Sequence, residues 1–413
     1  MKVLVFGGSG KMGAAAAFDL VRDPSVDVVG LVGRRREALE QTRVWLGSDK
    51  VELHVLDIER KDDVMALMGR YDVGVNTLPD RHTSYLVVDS AVRSGFDIVD
   101  MLEEYHRRPD AYELEGLVLP AGVTLDDYGD WLHETALAND VCFLDGIGFA
   151  PGLSNITCGE AIRKLDVAES AIARVGGIPE KSAAANHPLR YMITWAFCHV
   201  LREYMIKVWV KKGGELVEVP ATTDRERLRF DKLGRDEELE CAITPGMPSF
   251  ISTRPQLAEF AEKTVRWPGH WDGVQTLKEC GLLDLEPQEF GGTKVVPRDF
   301  LLSRIEPRLR ANPGETDVCV MVNTVTGTKD GVRTRISYHM WDEADTVHGI
   351  SSMGRVTGFS AAIGAMMIGA GMIAERGIVP PEDAIYGAGY AHFMKELEKR
   401  GIIVLETVET VVQ

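Results

Sequence analysis

Residues 3–20 read VLVFGGSGKMGAAAAFDL. Val3 to Phe6 is a short run of apolar, β-prone residues, a glycine-rich turn follows at once, and Lys11 to Val21 is a helix-forming segment rich in alanine. Within the turn, Gly8, Gly10 and Gly13 have the spacing GxGxxG. Between a strand and a helix each glycine has a physical task. The first permits a tight turn, the second lets backbone amides approach a pyrophosphate, and the third lets helix and strand pack closely. The stretch therefore predicts the opening unit of a dinucleotide-binding domain, with Gly8, Ser9, Gly10, Lys11, Met12 and Gly13 around the pyrophosphate. A glycine-rich turn without a ligand is the plainer alternative.

The rhythm continues outward. VDVVGLVG, VELHVLD, DVGVNTL and FDIVD read as strands, with helices at Glu37 to Leu46, DDVMALMGR and TSYLVVDSAVRSG between them. Strands alternating with helices predict an α/β fold, a Rossmann-type doubly wound parallel sheet covered on both faces. From Glu103 to Gly129 the pattern breaks into an acidic insertion punctuated by proline and glycine, expected either as an ordered lid or as a solvated excursion. It resumes with a helix around Asp130 to Asn139, the strand VCFLDGIG, and the turn FAPGLSN opening another helix. Beyond about Arg163 longer strands joined by hairpins predict a second, mixed α/β domain, with AESAIARVGGIP, EKTVRWPG and VHGISSMG among its strands and KDG as one hairpin turn. Thr357 to Ile378 returns to helix. The expected division is a dinucleotide-binding domain at 1–148, completed by 351–413, with a substrate-binding and oligomerisation domain at 149–350.

The net charge of −17 and a pI near 5.1 exclude nucleic acid and anionic membrane surfaces as natural partners. The six cysteines are scattered, with no CxxC pair and no histidine at zinc spacing, which predicts a reduced, cytoplasmic protein without a metal site. The apolar start is too short and glycine-rich for a signal peptide. Val356 to Ala374 is uncharged, but glycine, alanine, serine and threonine make up most of it. A buried helix lying close against a sheet explains it better than a membrane span.

The second strand chooses the dinucleotide. A carboxylate at its end would bind the adenosine ribose and repel a 2′-phosphate; here Gly33 stands in that place and Arg34, Arg35 and Arg36 follow. Arginine pairs bidentately with phosphate, so the reading is NADP, with NAD the alternative and Arg34 and Arg35 as the phosphate contacts. Asp57 and Ile58 are candidates beside the adenine, and Asn76, Thr77 and Leu78 on the nicotinamide side; simple strand-ending turns explain these five equally. Asp100 and Asp145 end strands at the sheet edge where a ligand should lie, and are the candidate catalytic carboxylates, with a structural role the competing reading. NHPLRYMITW gathers His187, Arg190, Tyr191 and Trp195. His187 could move a proton and Arg190 take a carboxylate, unless the segment is a polar helix start over core aromatics.

The segments GGSGKMG, VNTLP, IVDMLE, FLDGIGFAPGLSNI, VGGIP, WPGH, VVPRDFL and GRVTGFSAAIGAMMIGAGMIAERGIVPPE occur in the order found in the saccharopine dehydrogenase-like family, which the chain resembles over most of its length. Within that family it resembles most nearly the lysine 6-dehydrogenase branch, whose members oxidise the ε-amine of lysine. The resemblance implies an NAD(P)-dependent oxidoreductase acting on CH–NH2 or CH–NH donors, at least a homodimer, taking a small amino-acid substrate. It also places His270 and Arg298 among the substrate-binding candidates, beside Arg190 and Tyr191 of the NHPLRYMITW cluster, a turn histidine and a surface arginine being the plainer readings of the first two. The branch carries an acidic residue where Gly33 stands, uses NAD, and lacks much of the Glu103 to Gly129 insertion. A saccharopine reductase-like enzyme that reduces an imine, and a cofactor-binding regulatory protein without turnover, are the competing readings.

Overall fold

The computed structural model describes residues 1–79, 81–109 and 118–411. Strand β1 (Lys2–Phe6) is buried from Val3 onward, and the chain then alternates as the sequence leads one to expect. It forms α1 (Lys11–Arg22), β2 (Val28–Gly33), α2 (Arg36–Leu46), β3 (Val51–Val55), α3 (Lys61–Met68), β4 (Val73–Asn76), α4 (Arg81–Ser94), β5 (Asp97–Asp100), α5 (Leu125–Ala138), β6 (Cys142–Leu144) and α6 (Leu153–Lys164). The strands make a seven-stranded sheet in the order Gly377–Val379, β6, β5, β4, β1, β2, β3, every neighbouring pair parallel. The order reverses between β1 and β4, and the carboxyl ends flanking such a switch point are where open α/β sheets bind ligands.

The helix Ser352–Gly369 is the small-residue run. A Cβ added at Gly358 would stand 2.9 Å from the Cβ of Ala15 in α1, and one at Gly364 would stand 3.0 Å from Leu144. Its glycines are therefore what let it lie against α1 and the end of β6. No helix among the described residues is long and apolar enough to cross a membrane. The helix stops at Gly369 rather than running to Ile378, and Gly377–Val379 adds the seventh strand, its Gly377 amide donating to Val141 O.

Helix α5 begins five residues before the expected Asp130, at Leu125, because Thr124 caps it by accepting from the Asp127 amide while Asp126 and Asp127 occupy its first turn. Part of the Glu103 to Gly129 insertion is thus helix; its residues 110–117 lie outside the described residues.

The chain divides into two compact units, one of residues 1–160, 247–250 and 354–402, the other of 161–246, 251–353 and the chain from Ile403. This differs from the expected 1–148 with 351–413. Asn155 donates to Glu382 and Ser249 also bonds Glu382, which ties the start of α6 to the first unit. Strand Val404–Thr410 pairs antiparallel with Val332–Glu343, which draws the C-terminal segment into the second.

The second unit holds a nine-stranded mixed sheet. β7 (Val167–Pro179) runs parallel to Glu259–Arg266 and antiparallel to Asp317–Lys329. The KDG turn joins Asp317–Lys329 to Val332–Glu343, with Asp330 and Gly331 both at positive φ, as a primed hairpin turn requires. VHGISSMG is not a strand. Asp345 accepts from the Val347 and His348 amides to close a turn, and Asp317 accepts from the amides of Ser352 and Met353 to cap the following helix.

Candidate active site

The glycine loop builds an anion cradle. The amides of Gly7 and Gly8 donate to Val32 O, and that of Gly10 to Gly7 O. Helix α1 starts from Gly10 with no side-chain cap and no acidic residue in its first turn. No described backbone bond engages the Ser9, Lys11 or Met12 amide, so the helix N-terminus keeps its donors for a ligand. Gly13 is required by packing: its Cβ would stand 2.4 Å from Gly7 O and 2.7 Å from Thr77 Oγ1.

At the end of β2, a Cβ on Gly33 would meet only the flexible tip of Leu39 at 3.3 Å and Ser9 Oγ at 3.7 Å. Space therefore does not forbid a carboxylate there; the sequence omits one. Arg34, Arg35 and Arg36 are exposed, and no described carboxylate pairs with any of them. Exposed guanidinium groups without a carboxylate partner among the described residues fit a 2′-phosphate.

The other nucleotide candidates divide. Asp57 is exposed and accepts from the Glu59 amide in a turn, while Ile58 packs on the core. Asn76 is 1% exposed, and its side chain joins the buried polar cluster around Asp100. Thr77 donates its hydroxyl to Phe6 O, holding the glycine loop from β4. Leu78 stays beside Gly7, where a Cβ would approach it to 3.3 Å.

The inward-turned Asn76 belongs to a buried polar cluster at the carboxyl ends of β4, β5 and β6. Asp100, 0% exposed, accepts from Asn76 Nδ2 at 2.6 Å, Ser84 Oγ at 2.7 Å and the Leu102 amide at 2.7 Å. Burial pushes its pKa up from the ordinary carboxylate range, against the pull of His106 and the Ser84 hydroxyl. Asp145 accepts from both the amide of His106, at 2.8 Å, and its Nδ1, at 2.7 Å. His106 is itself wholly buried, its ring against Tyr85 and Phe143. Burial opposes its charge, but Asp145, then Glu104 and Asp100, outweigh that and hold the ring up at about 9. Tyr85 donates to Glu104 beside it. Both expected carboxylates are thus at the sheet edge, but their oxygens are engaged within the protein.

The candidates of the second unit are largely structural. The two ring nitrogens of His187 bond Arg308 O at 2.8 Å and Glu315 Oε2 at 2.7 Å. Both ring nitrogens are thus engaged within the protein; burial lowers the ring's pKa, and the Arg308 carbonyl and Glu315 outweigh it and raise the value. Glu315 sits at about 2, held down first by the Asn312 amide. His270 and Tyr191 are buried in the core, which overturns a substrate-facing place for the His270 ring: Arg266 Nε donates to Tyr204 O, the Tyr204 hydroxyl serves His270 Nε2, and His270 Nδ1 serves Leu189 O. Burial and the Arg266 charge pull His270 down to about 3, so it is neutral. Arg190 is exposed, pairs with no described carboxylate, and lines a cavity of about 390 Å³ with His187, Leu189, Gly269 and Gly273. Arg298 is half-buried at the start of helix Pro297–Leu309, its Nε without a hydrogen-bond partner among the described residues.

Residues 3–125 match the saccharopine dehydrogenase NADP binding domain, and 148–402 match the saccharopine dehydrogenase C-terminal domain. The chain belongs to the saccharopine dehydrogenase family. It is 25% identical over 194 residues to alpha-aminoadipic semialdehyde synthase of Arabidopsis thaliana, a match that spans 44% of this chain and 18% of that much longer protein. The apo saccharopine dehydrogenase (L-Glu forming) of Saccharomyces cerevisiae superposes with a TM-score of 0.76 over 99% of this chain and 100% of the other, at 19% identity, a likeness of fold.

Two residues of this saccharopine dehydrogenase-family chain escaped the sequence reading. His106 lies in EEYHRRPD, whose acidic, proline-bounded texture reads as solvated loop. Arg266, in TVRWPGH, is 5% exposed, and its described hydrogen bonds run to Tyr204, Val265 O and Gly177 O, with its guanidinium 5.2 Å from the Tyr191 ring centroid. Its signal was available: an arginine at the end of a strand of apolar alternation needs an anion or a polar cage.

Proposed function

We propose that this chain is an NADP-dependent oxidoreductase acting on the amine of an amino acid, in the manner of lysine 6-dehydrogenase. Oxidation of the amine gives an imine, which water hydrolyses. The observation that carries the reading is the set of buried carboxylates, Asp100, Glu104 and Asp145, at the carboxyl ends of β5 and β6, next to the strand end that holds the glycine loop. Carboxylates gathered at the sheet's carboxyl edge are suited to an ammonium group and poorly suited to an anionic reacting centre. Bound NADP supplies the hydride acceptor. The protein's own groups would hold it: the α1 amides at the pyrophosphate, Arg34 and Arg35 at the 2′-phosphate, and Leu78 on the nicotinamide side.

A second reading, reduction of an imine formed between an amino acid and a carbonyl compound, is favoured by the full-length likeness to the yeast enzyme. The same buried carboxylates would then face a protonated imine. Lysine with NADP, followed by the absorbance of reduced nicotinamide, tests the first. Glutamate plus an aldehyde consuming NADPH, with lysine inert, replaces it with the second, and no turnover with either across a panel of amines rejects both. The family resemblance further supports a cytoplasmic homo-oligomer, at least a dimer, which light scattering on the purified protein checks.

A further inference from the structure

We infer that His106 is the proton-carrying group of this site: its Nε2 takes the proton from the substrate's ammonium group, and Asp145 fixes the ring for that task. The inference rests on the amine-oxidising reading above.

Both oxygens of Asp145 are spent on one residue, Oδ2 on the His106 amide and Oδ1 on its Nδ1. A carboxylate can only accept, so Nδ1 carries hydrogen in either charge state of the ring. The tautomer is thereby set, and Nε2 is the atom whose proton comes and goes. That atom is buried and has no hydrogen-bond partner among the described residues. An unpartnered polar atom held from water costs about 1–3 kcal/mol, and here it lies at the sheet edge where ligands of this fold bind. Asp100 cannot take the task, because Asn76, Ser84 and the Leu102 amide already occupy its carboxylate.

The groups facing the ring come from every side. Asp145 follows β6, Asp100 ends β5, Glu104 lies on the ring's own segment, and α4 contributes Tyr85, whose hydroxyl donates to Glu104. Three carboxylates around one imidazole favour its protonated form, and the value of about 9 places it close to an alkylamine. In the step, an N–H bond of the ammonium breaks and the Nε2–H bond forms. The amine keeps the electron pair, which makes the C=N bond as the C–H pair leaves as hydride to the oxidised cofactor. The imidazolium then returns its proton to water.

The test compares wild type, His106→Gln and Asp145→Asn. Wild-type kcat/KM for amine oxidation is expected to rise with an inflection at about 9, and His106→Gln to lose that inflection and about 100- to 10,000-fold in kcat, with NADPH binding retained. An inflection retained in His106→Gln, or an unchanged kcat, overturns the inference. Should that variant lose NADPH binding and hence its fold, Asp145→Asn decides: the inflection should fall toward the ordinary histidine range, and an unmoved one is the overturning result. Ring NMR of histidine-labelled protein needs no substrate. A ring titrating near 9 with hydrogen on Nδ1 supports the assignment, and hydrogen on Nε2 in the neutral form overturns it. If no amine reduces NADP, the amine reading falls alone and the ring titration still decides His106.

Discussion

Replacing Arg34 and Arg35 together with alanine is expected to separate the two nicotinamide dinucleotides. Neither side chain has a described carboxylate partner, and Arg35, the N-cap of α2, makes no side-chain cap bond, so the fold should lose no more than about 0.5 kcal/mol. The energetic loss falls on the ligand. A phosphate of charge near −2 about 4 Å from one guanidinium gains roughly 2 kcal/mol at the dielectric of water, somewhat less once salt screens it. Two arginines thus contribute about 2–4 kcal/mol, roughly 30- to 700-fold in the Kd for NADPH. NADH lacks the phosphate, and its Kd should move by no more than about twofold on this Coulombic accounting. Fluorescence titration with both reduced dinucleotides measures the ratio directly. The wild-type preference should also shrink at 1 M salt, where the screening length is about 3 Å. Equal losses for NADPH and NADH, or none for either, would return the arginines to the solvated surface and refute the assignment of NADP on these residues.

Gly33→Asp should fold, since its Cβ meets only the Leu39 tip at 3.3 Å, and should weaken NADPH more than NADH by about tenfold or more; a variant that binds NADPH as wild type does argues against a phosphate near β2. Gly13→Ala drives a methyl to within 2.4 Å of Gly7 O, a backbone atom, so it should cost about 1–3 kcal/mol and abolish binding of both dinucleotides, read by melting temperature and titration. His270 carries a pH dependence whose sign follows from its lowered value. The unfolded chain takes up a proton below about 6.5 and the folded one only near 3, so this contribution is intact above 6.5 and is lost as pH falls toward 3. Wild type should therefore lose up to about 1.4 kcal/mol per pH unit more than His270→Gln across that window. Parallel denaturation curves at pH 7 and pH 5 would contradict a neutral, buried ring.

The first sheet was legible because each of its early strands is a contiguous apolar run with its own helix behind it. VLVF, VVGLVG and FDIV needed no distant information to be placed, and the glycine spacing fixed the direction of β1 into α1. Gly377–Val379 was not legible: three residues after a glycine-rich helix carry no alternation, and the strand exists only because β6 offers it an open edge. VLETVET was hidden for a related reason. Its apolar residues, Val404, Leu405 and Val408, keep no period of two, and its partner Val332–Glu343 lies far back in the chain, so nothing local sends it to the second sheet. VHGISSMG misled because valine and isoleucine suggest a strand, whereas Asp345 and Asp317, neither within the segment, bind its backbone into a turn and a helix start.

The site shows the same limit at the level of single side chains. Asp100 and Asp145 could be found because they terminate strands, a position that has meaning in any parallel sheet. What each does is set by groups remote in sequence: Ser84 and Asn76 for Asp100, and for Asp145 a histidine 39 residues earlier. The His187 cluster drew attention for the converse reason, chemically rich residues adjacent in sequence, and Arg308 and Glu315 turn it into a clamp. Burial explains why His106 was missed. Its neighbours Glu103, Glu104, Arg107 and Arg108 give the segment a solvated composition, yet Glu104 and His106 themselves lie inside. A charged segment can enter a core when its charges are answered there, and here Asp145 and Tyr85 answer them. The part of the insertion with the least core-like sequence therefore supplies the most deeply placed titratable ring at the sheet's carboxyl edge.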